Sequence, residues 1–223
     1  MIVAERKPFE EIYAFAQKHK TVLLLGCGAC VTVCMAGGEK EVGVLASQIA
    51  LAARERGDTI GMIEHTITRQ CDAEFFDEVT ARKIAQADAV ISMACGVGVQ
   101  YCVERFPEIV VYPALNTKFY GATVEQGVWS ERCAGCGECL VDKTGGVCPI
   151  ARCAKSLLNG PCGGSEDGKC EVNPDIPCAW QLIYERMEKL GRLDELEDIL
   201  PMKDWTSGRD GGPRTITRED MRL

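Results

Sequence analysis

The stretch Val22-Leu-Leu-Leu-Gly-Cys-Gly-Ala-Cys-Val-Thr-Val-Cys34 passes from an unbroken apolar run into three cysteines within eight residues. Consecutive apolar positions fit a strand covered on both faces, as in a parallel sheet, and Gly26 and Gly28 open it into a loop. Downstream, Gly37-Gly-Glu-Lys-Glu41 starts a helix with acids in its first turn. Val42, Leu45, Ile49 and Ala53 then recur at helical spacing until Gly57 stops it. Thr59–Ile63 reads as the next strand, and Asp72 as the N-cap of a helix whose face carries Phe76, Val79, Lys83 and Ala87. Ala89–Ala94, Gly96–Phe106 and Ile109–Tyr112 read as strand, helix and strand, and a short helix across Phe9–Lys18 precedes them all. Strand alternating with helix predicts an α/β fold with a Rossmann-like or flavodoxin-like parallel sheet over residues 1–128.

From Trp129 the pattern changes. Cysteine, glycine and proline dominate up to Cys178, a loop-rich composition that cannot bury enough apolar surface without a staple. Ala179–Ile199 is helical again, with Trp180, Ile183, Tyr184, Met187 and Leu190 on one face. The organisation expected is therefore an α/β domain over 1–128, a cysteine-rich module with its helix over 129–200, and an extended tail over 201–223.

Composition narrows the chemistry. A formal net charge of -8 without a Lys/Arg cluster argues against nucleic acid. No apolar run reaches the roughly 20 residues of a membrane helix, and Met1–Lys7 lacks the pattern of a secretory signal, so a cytoplasmic protein without membrane insertion is expected. In that reducing compartment fourteen cysteines are better read as metal ligands than as disulfides.

Loops at the carboxyl ends of parallel strands converge on one crevice. Cys27, Cys30 and Cys34 follow the first buried strand, Cys71 the second and Cys95 the third. Clustered thiolates repel unless a cation lies between them, so a [4Fe–4S] cluster is expected there. Cys30, Cys71 and Cys95 are the leading ligands, with Cys27 and Cys34 competing for the fourth place or a supporting role. Cys102 belongs instead to the apolar side of a helix, and His65 reads as a core residue. Gly26-x-Gly28 lacks the third glycine of a dinucleotide fingerprint, and Gly38-Glu39-Lys40 does not end a phosphate loop.

The second module reads Cys133-x2-Cys136-x2-Cys139, then Cys148-Pro149, Cys153, Cys162, Cys170 and Cys178. The triple spacing with Cys-Pro approaches the bacterial ferredoxin run, although the gap before Cys148 is longer. Eight thiols suffice for two four-thiolate sites, which gives ferredoxin-like iron–sulfur sites here and two or three [4Fe–4S] clusters in the chain. At Cys153, Cys162, Cys170 and Cys178 zinc competes with iron–sulfur.

Arg152-Cys-Ala-Lys-Ser-Leu-Leu-Asn-Gly-Pro-Cys-Gly-Gly164 and Cys178-Ala-Trp-Gln-Leu-Ile-Tyr-Glu-Arg186 resemble the zinc-binding-like C-terminal domain family of methylenetetrahydrofolate reductases. Gly26–Cys30, Gly37–Val42 and Ala94–Gln100 resemble it too. In acetogenic bacteria a stand-alone member is the small iron–sulfur subunit that partners a flavin-containing reductase subunit. The resemblance implies a non-catalytic electron-transfer subunit in one-carbon metabolism. It would pass electrons from a donor protein or complex to that partner, which reduces methylenetetrahydrofolate to methyltetrahydrofolate in the reductive acetyl-CoA pathway. The alternative is a structural, zinc-binding scaffold for the catalytic subunit. The length falls short of a (β/α)8 barrel, in line with the folate being reduced elsewhere. The helix from Trp180 to Leu190 and the tail from Pro201 are the candidate docking surfaces.

Overall fold

A computed structural model describes residues 1–222 of the chain, which divides into two compact units, Met1–Trp129 and Ser130–Leu223. The first unit contains β1 (Ile2–Arg6), α1 (Phe9–Ala16), β2 (Thr21–Cys27), α2 (Cys30–Val33), α3 (Glu39–Arg56) and β3 (Gly61–Ile67). It continues with α4 (Glu78–Ala85), β4 (Ala89–Met93), α5 (Gly96–Arg105), β5 (Val110–Pro113) and β6 (Leu115–Glu125). The strand β7 (Val128–Cys133) carries the chain into the second unit, where α6 (Pro149–Arg152) and α7 (Ala179–Leu190) are its α-helices.

The four strands β3-β2-β4-β5 form a parallel sheet in that order. Both central strands are buried on both faces, which explains their unbroken apolar sequence. Successive side chains alternate between faces. Val22, Leu24, Ile91 and Met93 pack with Ile12 and Tyr13 of α1 and with Leu45 and Ile49 of α3. On the other face, Leu23, Leu25 and Val90 pack with Ile84 of α4 and Cys102 of α5. From β2 the chain crosses to β3 on one side and then to β4 on the other, so the carboxyl ends of β2 and β4 flank the switch point where such sheets bind ligands.

Several features depart from the sequence reading. The edge strand is Gly61–Ile67 rather than Thr59–Ile63, because pairing of Thr21 with Gly61 sets a later register and its outer half carries Glu64, His65 and Thr66. Asp72 caps only a 3-10 turn, whereas Asp77 accepts from the Thr80 N–H at 2.8 Å and starts α4. A second, antiparallel sheet of order β1-β6-β7 was not anticipated.

In the second unit Trp180, Ile183 and Met187 of α7 form a small core with Val147, Leu157 and Leu193, and the Trp180 indole donates to the Leu157 carbonyl at 2.9 Å. The helix stops at Leu190, short of the expected Ile199, because Gly191 turns left-handed at φ 66°. Nor is the tail merely extended. Ser207 Oγ donates to the Cys136 carbonyl at 3.1 Å, and Lys203 Nζ pairs with Glu138 at 3.2 Å. Gly137, at φ +86°, leaves room for the Ser207 carbonyl where a side chain would clash.

Candidate functional site

The carboxyl ends of β2 and β4 are tied by a residue to which the sequence reading gave no role. Gln70 is fully buried and donates to the carbonyls of Leu25 at 2.8 Å and Gly26 at 3.1 Å. Its own oxygen accepts from the Ser92 hydroxyl at 2.7 Å. A lone glutamine between polar residues in a loop leaves no periodic signal, and only the topology shows that it spans two strands.

Around this brace lie the N-terminal cysteines. Cys27 ends β2, Cys30 starts α2, Cys34 closes α2, and Cys95 caps α5 directly after β4. Cys27, Cys34 and Cys95 share one buried cluster with Val3, Val31 and Leu115. Desolvation, followed by the neighbouring Cys95 and Cys27 thiols, pushes the Cys71 thiol above its ordinary pKa. The topology therefore does gather these residues at one edge of the sheet.

Their sulfurs do not converge as a ligand set. The Cys34 thiol lies 3.6 Å from the carbonyls of both Ala4 and Val31, and burial pushes its pKa up, which favours the protonated form. The Cys27 thiol faces the Thr68 carbonyl at 4.0 Å. Cys102 is fully buried in the apolar core, where burial pushes its pKa up to about 11.

Several of the second unit's thiols are likewise engaged with backbone. Cys133 Sγ accepts from the Gly135 N–H at 3.4 Å, and Cys136 Sγ donates to the Glu138 carbonyl at 3.3 Å. Cys139 is exposed, while Cys148 Sγ accepts from the Ala151 N–H at 3.5 Å and so caps α6. Cys153, Cys162, Cys170 and Cys178 line one small cavity of about 20 Å³. Backbone N–H groups of Asn173 and Val172, with Lys155 nearby, hold the Cys170 thiol below its ordinary pKa.

Among the described residues, no group of three or more cysteine, histidine, aspartate or glutamate side chains is placed to hold a metal ion. This corrects the expectation of two or three [4Fe–4S] clusters, or zinc at one site. Close spacing in sequence brought thiols near one another, but carbonyl and amide partners took up several of them. The donor set does not fit those groups.

His65, expected in the core, is instead half-buried on the edge strand β3, where it is hydrogen-bonded. Thr80 spends its hydroxyl proton on Asp77 at 2.8 Å, so His65 Nε2 must donate to Thr80 Oγ1 at 3.0 Å and Nδ1 accepts from Lys83 at 3.4 Å. Burial, then the Lys83 charge, lowers the His65 pKa and keeps the ring neutral. It borders a cavity of about 410 Å³ beside β3, shared with Glu39 and Glu64.

Residues 112–206, less than half of the chain, match a family described as the methylenetetrahydrofolate reductase C terminal. No curated protein and no solved structure matches. Among the described residues no helix is long and apolar enough to cross a membrane.

Proposed function

We propose that this chain is a non-catalytic accessory subunit of a methylenetetrahydrofolate reductase. It docks on a flavin-containing subunit that reduces methylenetetrahydrofolate to methyltetrahydrofolate, and it helps a donor protein to engage that subunit. The observation that carries this reading is the family match over residues 112–206, which spans the cysteine-rich region. The surface of the second unit also supports a docking role. Ile199 and Met202 are 84% and 96% exposed, and Tyr184, at the edge of the face of α7 that buries Trp180 and Met187, is half exposed. Exposed apolar side chains of this kind gain from being covered by a partner.

The test is reconstitution with the flavin subunit, comparing folate reduction driven by reduced ferredoxin with reduction driven by a viologen dye. A stable complex is expected, with ferredoxin-driven turnover falling at least about tenfold when the chain is omitted, equivalent to about 1.4 kcal/mol of barrier. Dye-driven turnover should change little. No complex would overturn the accessory role itself. A complex in which both activities rise and fall together would leave a scaffold and remove the donor-engagement part.

A further inference from the structure

In the second unit the tail returns over the loop that carries Cys133, Cys136 and Cys139, and four contacts join the two segments. Its starting point is fixed by Asn159, whose side chain accepts from the Leu200 N–H at 2.8 Å and donates to the Leu200 carbonyl at 2.9 Å. Beyond that clamp, the Lys203 side chain is only 1% exposed and its ammonium meets the Glu138 carboxylate at 3.2 Å. The Ser207 carbonyl fills the space that a Cβ on Gly137 would take. Gly208 is buried against Cys136, where a Cβ of its own would lie 3.2 Å from the carbonyl oxygen and 3.4 Å from Cα. Arg214 closes the set, donating to the Ser207 carbonyl at 2.7 Å and to the Gly135 carbonyl at 3.4 Å.

Two glycines, one from each segment, let backbone lie on backbone, so the tail is fitted to this loop. The fit is nevertheless polar. Ile199, Met202, Trp205 and Ile216 are all exposed, and among the described residues no side chain after Leu196 joins the core around Trp180, Ile183 and Met187. A segment held by exposed hydrogen bonds with few buried apolar contacts opens locally, at a fraction of the free energy of global unfolding. What it covers is specific too. Cys133 and Cys139 are exposed, whereas Cys136, packed against Ser207 and Gly208, is half-buried.

We propose that residues 201–214 are a detachable strap that masks Cys136 and lifts as one unit, an autoinhibitory contact on the reactivity of the loop. Closed, it holds the middle thiol of the Cys-x2-Cys-x2-Cys run away from electrophiles and from other proteins. Open, it presents all three thiols together. The exposed Met202, next to the buried Lys203, gives the strap an outer side by which it can be drawn off. This inference does not depend on the accessory-subunit reading, because the isolated full chain suffices to test it.

Two chemical probes read the strap from its two sides: iodoacetamide on Cys136 and an acetyl N-hydroxysuccinimide ester on Lys203, each followed by peptide mass spectrometry of the full chain. Where opening and closing are fast, both rates follow the population of the open form. In the parent, Cys136 should react at least about tenfold more slowly than the exposed Cys139, and Lys203 at least about tenfold more slowly than Lys143, which is 60% exposed. Arg214→Ala removes an exposed clip and should speed Cys136 and Lys203 together by about tenfold, the factor that one lost hydrogen bond to a charged group corresponds to. Gly137→Ala, which displaces the Ser207 carbonyl, should act alike, with unreactive Cys102 as the check that the core is intact. Parent rates equal to those of Cys139 and Lys143 would mean that nothing is masked. Rates unchanged in Arg214→Ala would mean that the tail does not lift, and a rise at only one of the two residues would mean separate contacts. Each of these results overturns the strap.

Discussion

Gly37 is wedged at the switch point, and replacing it with alanine should be among the costliest small changes in the first unit. A Cβ there would lie 1.8 Å from the Met93 carbonyl oxygen, 2.9 Å from its carbonyl carbon and 3.1 Å from a Leu115 methyl. Met93 is fully buried at the end of β4 and cannot retreat. Gly37 cannot retreat either, since its carbonyl accepts from the Cys27 N–H at 2.9 Å and its own N–H donates to Val31 at 3.2 Å. Overpacking costs about 1–3 kcal/mol, and a backbone-on-backbone clash belongs at the upper end. At roughly 3–4 °C per kcal/mol for a unit of this size, Gly37→Ala should lower Tm by about 10 °C. Gly43→Ala is the matched opposite. It lies inside α3, and its Cβ would meet only a Glu64 carboxylate oxygen at 3.7 Å. Removing an interior helical glycine gains about 0.8–1 kcal/mol, so Tm should rise by about 3 °C. Circular dichroism melts of the full chain measure both. A Gly37→Ala melt within about 2 °C of the parent would refute the reasoning, since the expected overpacking cost is several times larger.

Further outcomes follow from the same geometry. Gln70→Leu strands the Ser92 hydroxyl and two carbonyls, at a cost of about 1–3 kcal/mol in urea unfolding, and adding Ser92→Ala should recover part of the loss. Under native alkylation at mildly alkaline pH, the exposed Cys133, Cys139 and Cys162 should label first, the exposed Cys71 after them because its pKa is raised, and Cys102 last, as read by peptide mass spectrometry. Because burial pushes the Cys102 pKa up to about 11, the folded state favours the neutral thiol. Its contribution to stability is therefore full below the ordinary cysteine pKa and is lost as pH rises from there through about 11, an effect that Cys102→Ala should remove from the alkaline melting curve. Asp77 has the opposite sign. The Thr80 N–H and hydroxyl hold its carboxyl below the usual aspartate value, so its support is full above that value and is lost as pH falls through the depressed pKa. The Tm gap between the parent and Asp77→Ala should accordingly narrow in acid.

The strands most directly legible in the sequence are those buried on both faces, although the edge strand β5 is legible too, as Ile109–Tyr112. Val22–Leu25 and Ala89–Ala94 announce themselves because every position must be apolar, whichever way it points. The antiparallel sheet sends no such signal. Along β6 only Leu115 and Gly121 are buried, and β1 buries only Val3 and Ala4. That omission bears directly on the chemistry. Topology alone could place Cys27, Cys34, Cys71 and Cys95 near one crevice, but the direction of each sulfur depends on what else lines it. The Ala4 carbonyl that faces the Cys34 thiol belongs to β1, a strand absent from the sequence reading. Cys148 makes the same point in the second unit. Cys-Pro reads as the end of a ferredoxin run when only spacing is seen, yet the same dipeptide starts a helix, with the thiol as its N-cap and Pro149 in the first turn. A cysteine's spacing limits its possible partners, and the neighbouring carbonyls and amides then decide which of them its sulfur meets.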